Sequence, residues 1–341
     1  MPFWRHRTAE EQAAQDTQKR DREELTALVA SRRQTEIARQ ASDLVALAQG
    51  GIPTEAKARL SELGASHAAG ETPLYTSDLS PDEAALLRRH DYTPVGLVTG
   101  SCMYHVGTAY VSRSDCEVPA LSHAYNEATR LAVSRLQQES VLAGAHGVVG
   151  VRYTIVRHEW GDKSIEVRIV GTALRGPGPA PRHPWMSDLS GQKWWSLHRA
   201  GYEPVSLVYG HSTWFVFTTQ YDEWNEGSGS NIELTHFAQA LSHARTSAAR
   251  EVTTMARAHG ASGVVGMHIS RRLDEVRLTG PGEDPAYERE HHNLVISMIG
   301  TGIKARDGAD TRVPRSSLVI SLRDGRMIPL AVRQGADATF A

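Results

Sequence analysis

With 341 residues, 40% apolar and 22% charged content and a net charge of −2, the chain has the composition of a globular protein and the length for two or three domains. Its basic residues come as scattered pairs such as Arg32-Arg33 and Arg88-Arg89, and no aromatic residue is set between them, so no basic stripe or base-stacking platform argues for nucleic acid. Two cysteines, Cys102 and Cys116, are too few for a disulfide framework, and no apolar run approaches the roughly 20 residues of a membrane helix.

Residues 1–73 read as a helical arm and linker. The start, "MPFWRHRTAEEQ", turns polar at once, with no apolar segment of a signal peptide, so the expectation is a cytoplasmic protein with no membrane and no nucleic-acid partner. Residues 8–49 hold Ala, Glu, Gln, Arg and Leu with no Gly or Pro, a helix composition that Gly50-Gly51-Ile52-Pro53 ends. Ala41, Leu44, Val45 and Ala48 recur at helical spacing, but Arg32-Arg33 breaks the stripe, so a long continuous coiled coil is not supported. A short second helix with Ala56, Leu60 and Leu63 on one face closes at Gly64, and "GASHAAGETP" reads as a linker. The arm is either solvated or a docking or oligomerisation element, with a protein partner among the contacts it could make.

From residue 74 the chain repeats itself. "SDLS" occurs at 77–80 and again at 187–190, an offset of 110, and Tyr92, Pro94, Val95 and Gly100 return as Tyr202, Pro204, Val205 and Gly210. In the first copy, residues 74–175, Ser80-Pro81-Asp82-Glu83 carries the signals of a capped helix start. A strand from Pro94 to Tyr104, a main helix over 126–143 and two strands turning at Gly161-Asp162 follow. The second copy, residues 187–304, aligns its helix at an offset of 116 and its last strand at 129, so its extra length falls in loops. "RGPGPAPRHPW" makes 176–186 a Pro-rich linker, and 305–341 read as a C-terminal hairpin turning at Asp324-Gly325, then a tail.

Gly100, Gly147, Gly150 and Gly171, with their counterparts Gly210, Gly263, Gly266 and Gly300, are expected to be structural, letting the helix pack closely on the sheet. A phosphate-cradling role is weaker, because the "GVVG" glycines lead into a strand and not into a helix. The stretches "VGLVTGSCMYH", "ATRLAVSRLQQESVLAGAHGVVGVR" and "IVGTALR" of copy one, and "VSLVYG", "GASGVVGMH" and "MIGTGIK" of copy two, resemble the YbjQ-like domain, a bacterial family carrying a heavy-metal-binding label. The resemblance implies an α+β fold of two two-layer domains, each an antiparallel sheet packed by one main helix. It also implies ring assembly, usually five-fold, and no reaction that transfers.

That label directs attention to ligands. Cys102 and His105 form a C-x-x-H spacing, with Asp115 and Cys116 on the next loop, a set suited to zinc or copper. Copy two has Ser212 and Phe215 in place of Cys102 and His105, and strand alternation puts those two side chains on opposite faces. His291-His292 beside Glu288 and Glu290 reads as a solvated loop. Ser101 lacks the elbow motif of a nucleophilic serine, and Asp115 and Glu117 would raise the thiol pKa of Cys116, the wrong direction for a nucleophile. No catalytic residue and no cofactor is therefore expected.

The reading is a non-enzymatic, ring-forming assembly or binding platform. Its alternatives are a heavy-metal-binding or metal-response protein and an enzyme with an active site at a subunit interface. Trp194, Trp195, Trp214 and Trp224 stand where copy one has Ala84, Ala85, Tyr104 and an unaligned loop. That divergence favours like-with-like rings, and so a homopentamer with two stacked rings, over three chains closing a mixed ring.

Overall fold

The computed structural model describes residues 9–71, 74–106, 114–158, 164–218, 231, 233–278, 289–306, 318–320 and 327–329. The arm is α1 (Ala9–Ala48) and α2 (Thr54–Ala68). The first half follows as α3 (Pro81–Arg88), β1 (Thr93–His105), β2 (Cys116–Glu117), α4 (Pro119–Leu142), β3 (Gly147–His158) and β4 (Ser164–Arg175). The second half is β5 (Trp185–Met186), α5 (Gly191–Arg199), β6 (Tyr202–Val216), α6 (Thr235–Ala258), β7 (Gly263–Leu278) and β8 (Arg289–Ala305). A short antiparallel pair, β9 (Leu318–Ile320) and β10 (Met327–Pro329), comes last; the turn expected at Asp324-Gly325 lies outside the described residues. Among the described residues no helix is long and apolar enough to cross a membrane.

The fold is α+β. Its sheets run in the orders β1-β4-β3-β5 and β2-β6-β8-β7. Three antiparallel strands of each sheet belong to one half, and the fourth short strand comes from the other: β5 lies parallel to β3, and β2 antiparallel to β6. The largest core cluster draws on both halves, from Val98, Leu136 and Ile169 to Leu207, Val295 and Ile299. Trp185-Met186, at the end of the expected linker, is therefore a strand and not spacer.

The helix starts follow their sequence signals. Ser80 Oγ accepts the Glu83 N–H at 3.3 Å while the Glu83 carboxylate takes the Ser80 N–H at 2.9 Å, a capping box that neutralises otherwise unpaired donors. Ser190 caps α5 in the same backbone conformation. The repeated "SDLS" has one local job in both halves. Asp78 N–H bonds Thr172 Oγ1 at 3.2 Å, and Asp188 N–H bonds Thr301 Oγ1 at 3.1 Å. Leu79 N–H and Leu189 N–H close onto Ser77 Oγ and Ser187 Oγ.

The glycines separate into distinct causes. A Cβ on Gly100 would lie 1.9 Å from the Ala132 carbonyl oxygen, and one on Gly210 2.3 Å from that of Ala248, so these two admit α4 and α6 onto their sheets. Alanines line the facing helix surfaces, Ala128 and Ala132 on α4 and Ala244 and Ala248 on α6. Close packing does not explain Gly150, whose Cβ would meet nothing within 4 Å. It stands at φ +62° in a bulge where the β3–β4 register slips between Val149 and Arg152, and Gly266 repeats this at +68°. Gly64 does not end α2. The helix runs through it because a Cβ there would come within 2.5 Å of the Leu142 carbonyl oxygen at the end of α4.

The inserted hairpin also departs from expectation. Residues 279–288 lie outside the described residues, but β8 already begins at Arg289, so His291 and His292 are in the sheet. His291 is buried, accepts the Thr218 N–H on Nδ1 at 3.1 Å and stacks on Phe217, because β7 and β8 pair for longer than their counterparts in the first half.

Candidate functional site

The residues that carry the most unusual chemistry gather where the halves meet. β6 presents Leu207, Tyr209, His211, Thr213 and Phe215 from alternate positions, and all five are buried. Their first-half counterparts on β1 are Leu97, Thr99, Ser101, Met103 and His105; Leu97 is half-buried and the other four are exposed. The difference arises because α4 of the first half, having covered β1 and β4, turns its other flank to β6.

That flank is polar and each group is placed. Asn126 clamps the backbone of His211, its Nδ2 donating to the carbonyl at 2.9 Å and its Oδ1 accepting the N–H at 3.1 Å. Ser122 Oγ accepts the Thr213 N–H at 2.8 Å, and Val118 N–H donates to the Thr213 carbonyl at 2.9 Å. These bonds satisfy an edge that would otherwise lie buried without partners. They continue the two-residue pairing of Cys116 with Phe215 and Glu117 with Trp214.

His211 occupies the centre of the junction. Its Nε2 lies 3.0 Å from Thr129 Oγ1 and 3.2 Å from the Tyr153 hydroxyl, while Nδ1 has no partner among the described residues. Burial pushes its pKa down to about 3, so the imidazole is neutral. Burial pushes the Tyr125 and Tyr209 hydroxyls up to about 12 and raises that of Tyr153 as well. Groups held neutral in this way bind the halves together and are poorly suited to move protons near neutral pH. Further along, Arg157 of β3 meets Asp274 of β7 at 2.9 Å, and Arg272, paired with the same carboxylate at 3.0 Å, donates to the Tyr125 hydroxyl.

The junction has a second, aromatic part. Trp194 of α5 is 2% exposed and packs with Leu87, Val149 and Leu174 of the first half, stacked parallel to Trp185 at 5.7 Å. Trp195 stacks on His90 at 3.3 Å. These tryptophans, taken from sequence as marks of a separate ring, are contacts of the second half with the first; Trp224 lies outside the described residues. Cavities lie between the halves among the described residues. One, of about 360 Å³, is lined by Tyr125, Tyr153, Ile155, Arg272 and Val295. Another, of about 610 Å³, is lined by Arg130, His183, Ser206, Tyr209 and Met255.

The structure places the residues considered as metal ligands at several points of the first half and its edge. Cys102 is buried under α4, and that burial raises its thiol pKa. His105 is exposed at the end of β1. The Asp115 carboxylate accepts the Phe217 N–H at 2.8 Å, and Cys116 belongs to the strand exchanged onto β6. Among the described residues no group of three or more His, Cys, Asp or Glu side chains could hold a metal ion. Sequence reasoning missed His211, Asn126 and Thr129. A signal was present: polar residues on the buried flank of α4, facing a strand whose "GHST" replaces "GSCM".

Fold and junction together define a class: an α+β protein of two repeated sheet-and-helix units that complete each other's sheets. The chain belongs to the family of the Encapsulin nanocompartment protein Rv1762c of Mycobacterium tuberculosis (strain ATCC 25618 / H37Rv), with 35% identity over 204 residues that span 58% of this chain and 78% of that protein. No family model matches the chain. No solved structure matches it. The relative's name corrects the YbjQ-like, heavy-metal-binding classification expected from the strand and helix motifs, which is not carried further.

Proposed function

We propose that the chain is a structural, non-enzymatic protein that self-assembles as part of an encapsulin nanocompartment. The observation that carries this reading is the 35% identity to a protein of that name across most of that protein's length. The strand exchange between the halves supports it, since a unit whose sheet is completed by a neighbour is a unit suited to extension. The two thiols are free, as suits assembly in the cytoplasm.

Five chains in two stacked rings would pair like units with like. The junction inside the chain pairs unlike units, and this favours a mixed arrangement in which first and second halves alternate. Light scattering and electron microscopy of the purified chain test the function. Multimers of defined mass are expected, together with co-purification with the encapsulin compartment when both are expressed. A chain that stays at 37.3 kDa at every concentration overturns it.

A further inference from the structure

Resting on that assembly reading, we infer that chains join head to tail through a second junction, in which α6 and β7 of one chain receive β1, β3, β4 and the residue 75–80 segment of the next. Three observations converge on it.

The first is a strand position that is unfilled among the described residues. β3 is covered by β5, with Ser187 N–H bonded to the Val148 carbonyl at 2.9 Å and Gly150 N–H to the Leu189 carbonyl at 2.8 Å. Its counterpart β7 is the outer strand of its sheet. The matching segment, with Ser77 and Leu79, is already held on Thr172 as Ser187 is on Thr301, and Ser80 and Ser190 share φ, ψ of −65°, 158° and −62°, 163°. Yet Ser187 and Leu189 are buried while Ser77 and Leu79 are not. A segment set in the pairing conformation beside no strand fits an edge that has none.

The second is exposed apolar surface at the counterpart positions. Val151 of β3 is 5% exposed, whereas Met267 in its place on β7 is 39% exposed and Ile269, in the place of Tyr153, 52%. On the other end of the chain Met103 is 51% exposed where Thr213 is fully buried.

The third is that residues change in pairs. Ser122, whose Oγ accepts the Thr213 backbone N–H across the internal junction, becomes Ala238, and Thr213 becomes Met103, so both positions turn apolar. Tyr125 and Arg272, also bonded, become Leu241 and Val156. Ile155 and Val295, which line one cavity, become Arg271 and Glu166, of opposite charge, with Glu166 also meeting His158 at 2.7 Å and Arg168 at 3.3 Å in its own half. In the first two pairs polar groups of the internal junction are thus replaced by apolar ones at the matching positions, as contact with another chain would favour. The second copy of this chain is therefore the occupant, and the contact is heterologous, closing as a ring or extending according to its rotation.

The test uses single-ended variants of the full chain. Ile269→Asp blocks the receiving end and Met103→Asp the inserting end; both side chains are exposed in the single chain, so circular dichroism should match the parent. Each variant alone is expected to fall from the parent multimer to 37.3 kDa, and an equimolar mixture to give complexes of twice that mass, one intact end meeting the other. A multimeric parent whose two aspartate variants remain multimeric, or whose monomeric variants do not pair on mixing, overturns this junction and leaves the assembly reading standing. A parent that is itself monomeric overturns both.

Discussion

Gly100 and Gly150 are the same residue used for different physical ends. At Gly100 the helix leaves no room, so Gly100→Ala must push α4 off β1 and is expected to cost about 1–3 kcal/mol through overpacking. At Gly150 there is room, and the cost of Gly150→Ala is backbone strain at φ +62°, about 1–2 kcal/mol. Thermal melts of both variants check this, and a Gly100→Ala protein that melts like its parent refutes the close-approach account. His211 supplies a pH dependence. Its pKa falls from the ordinary 6.5 to about 3 on folding, so the unfolded chain binds the extra proton between those values. The stability it contributes is complete above pH 6.5 and is lost as pH falls toward 3. Half-buried Asp188, whose pKa is raised by desolvation, works in the opposite sense, so the two must be separated by mutation. In His211→Gln the melting temperature should fall less steeply between pH 6.5 and 4.5 than in the parent; equal slopes would exonerate the imidazole.

At the scale of elements, the two "SDLS" segments give an internal control. They share sequence, cap and threonine anchor, but Ser187 is fully buried between the sheets and Ser77 is only half-buried. Ser187→Ala should cost about 1–3 kcal/mol, and Ser77→Ala within about 0.5 kcal/mol, as measured by urea unfolding of each single variant. Equal losses would mean that the segment matters only through its local turn. Trp194→Ala removes a fully packed indole from the cluster of Leu87, Val149 and Leu174 and is expected to cost about 3–5 kcal/mol. Much of this level was legible in the sequence. Ser80-Pro81-Asp82-Glu83 announced its capped helix, and the helix offset of 116 proved to be the structural one, since α4 and α6 run from Pro119 to Leu142 and from Thr235 to Ala258. The Gly64 stop failed because a glycine that ends a helix and one that lets two helices touch look alike in one dimension.

For the whole molecule, one core spanning both halves implies one cooperative unfolding transition for the body formed by β1 to β8. Calorimetry should find a single peak there; two peaks, with the second half melting alone, would show that the exchanged strands do not couple the units. The sequence by itself determined the duplication, the α+β character of each copy, the helical arm and the caps, because periodicity, capping chemistry and glycine spacing act over short distances along the chain. Only the tertiary structure decided how the copies meet. Strand exchange, the burial of His211 against Thr129 and Tyr153, and the seating of Trp194 on the first half all depend on which edge lies beside which, over sequence separations of 82 residues for His211 and Thr129. Composition is silent on that choice: Ser77 and Ser187 read identically, and only a neighbouring strand makes one of them buried.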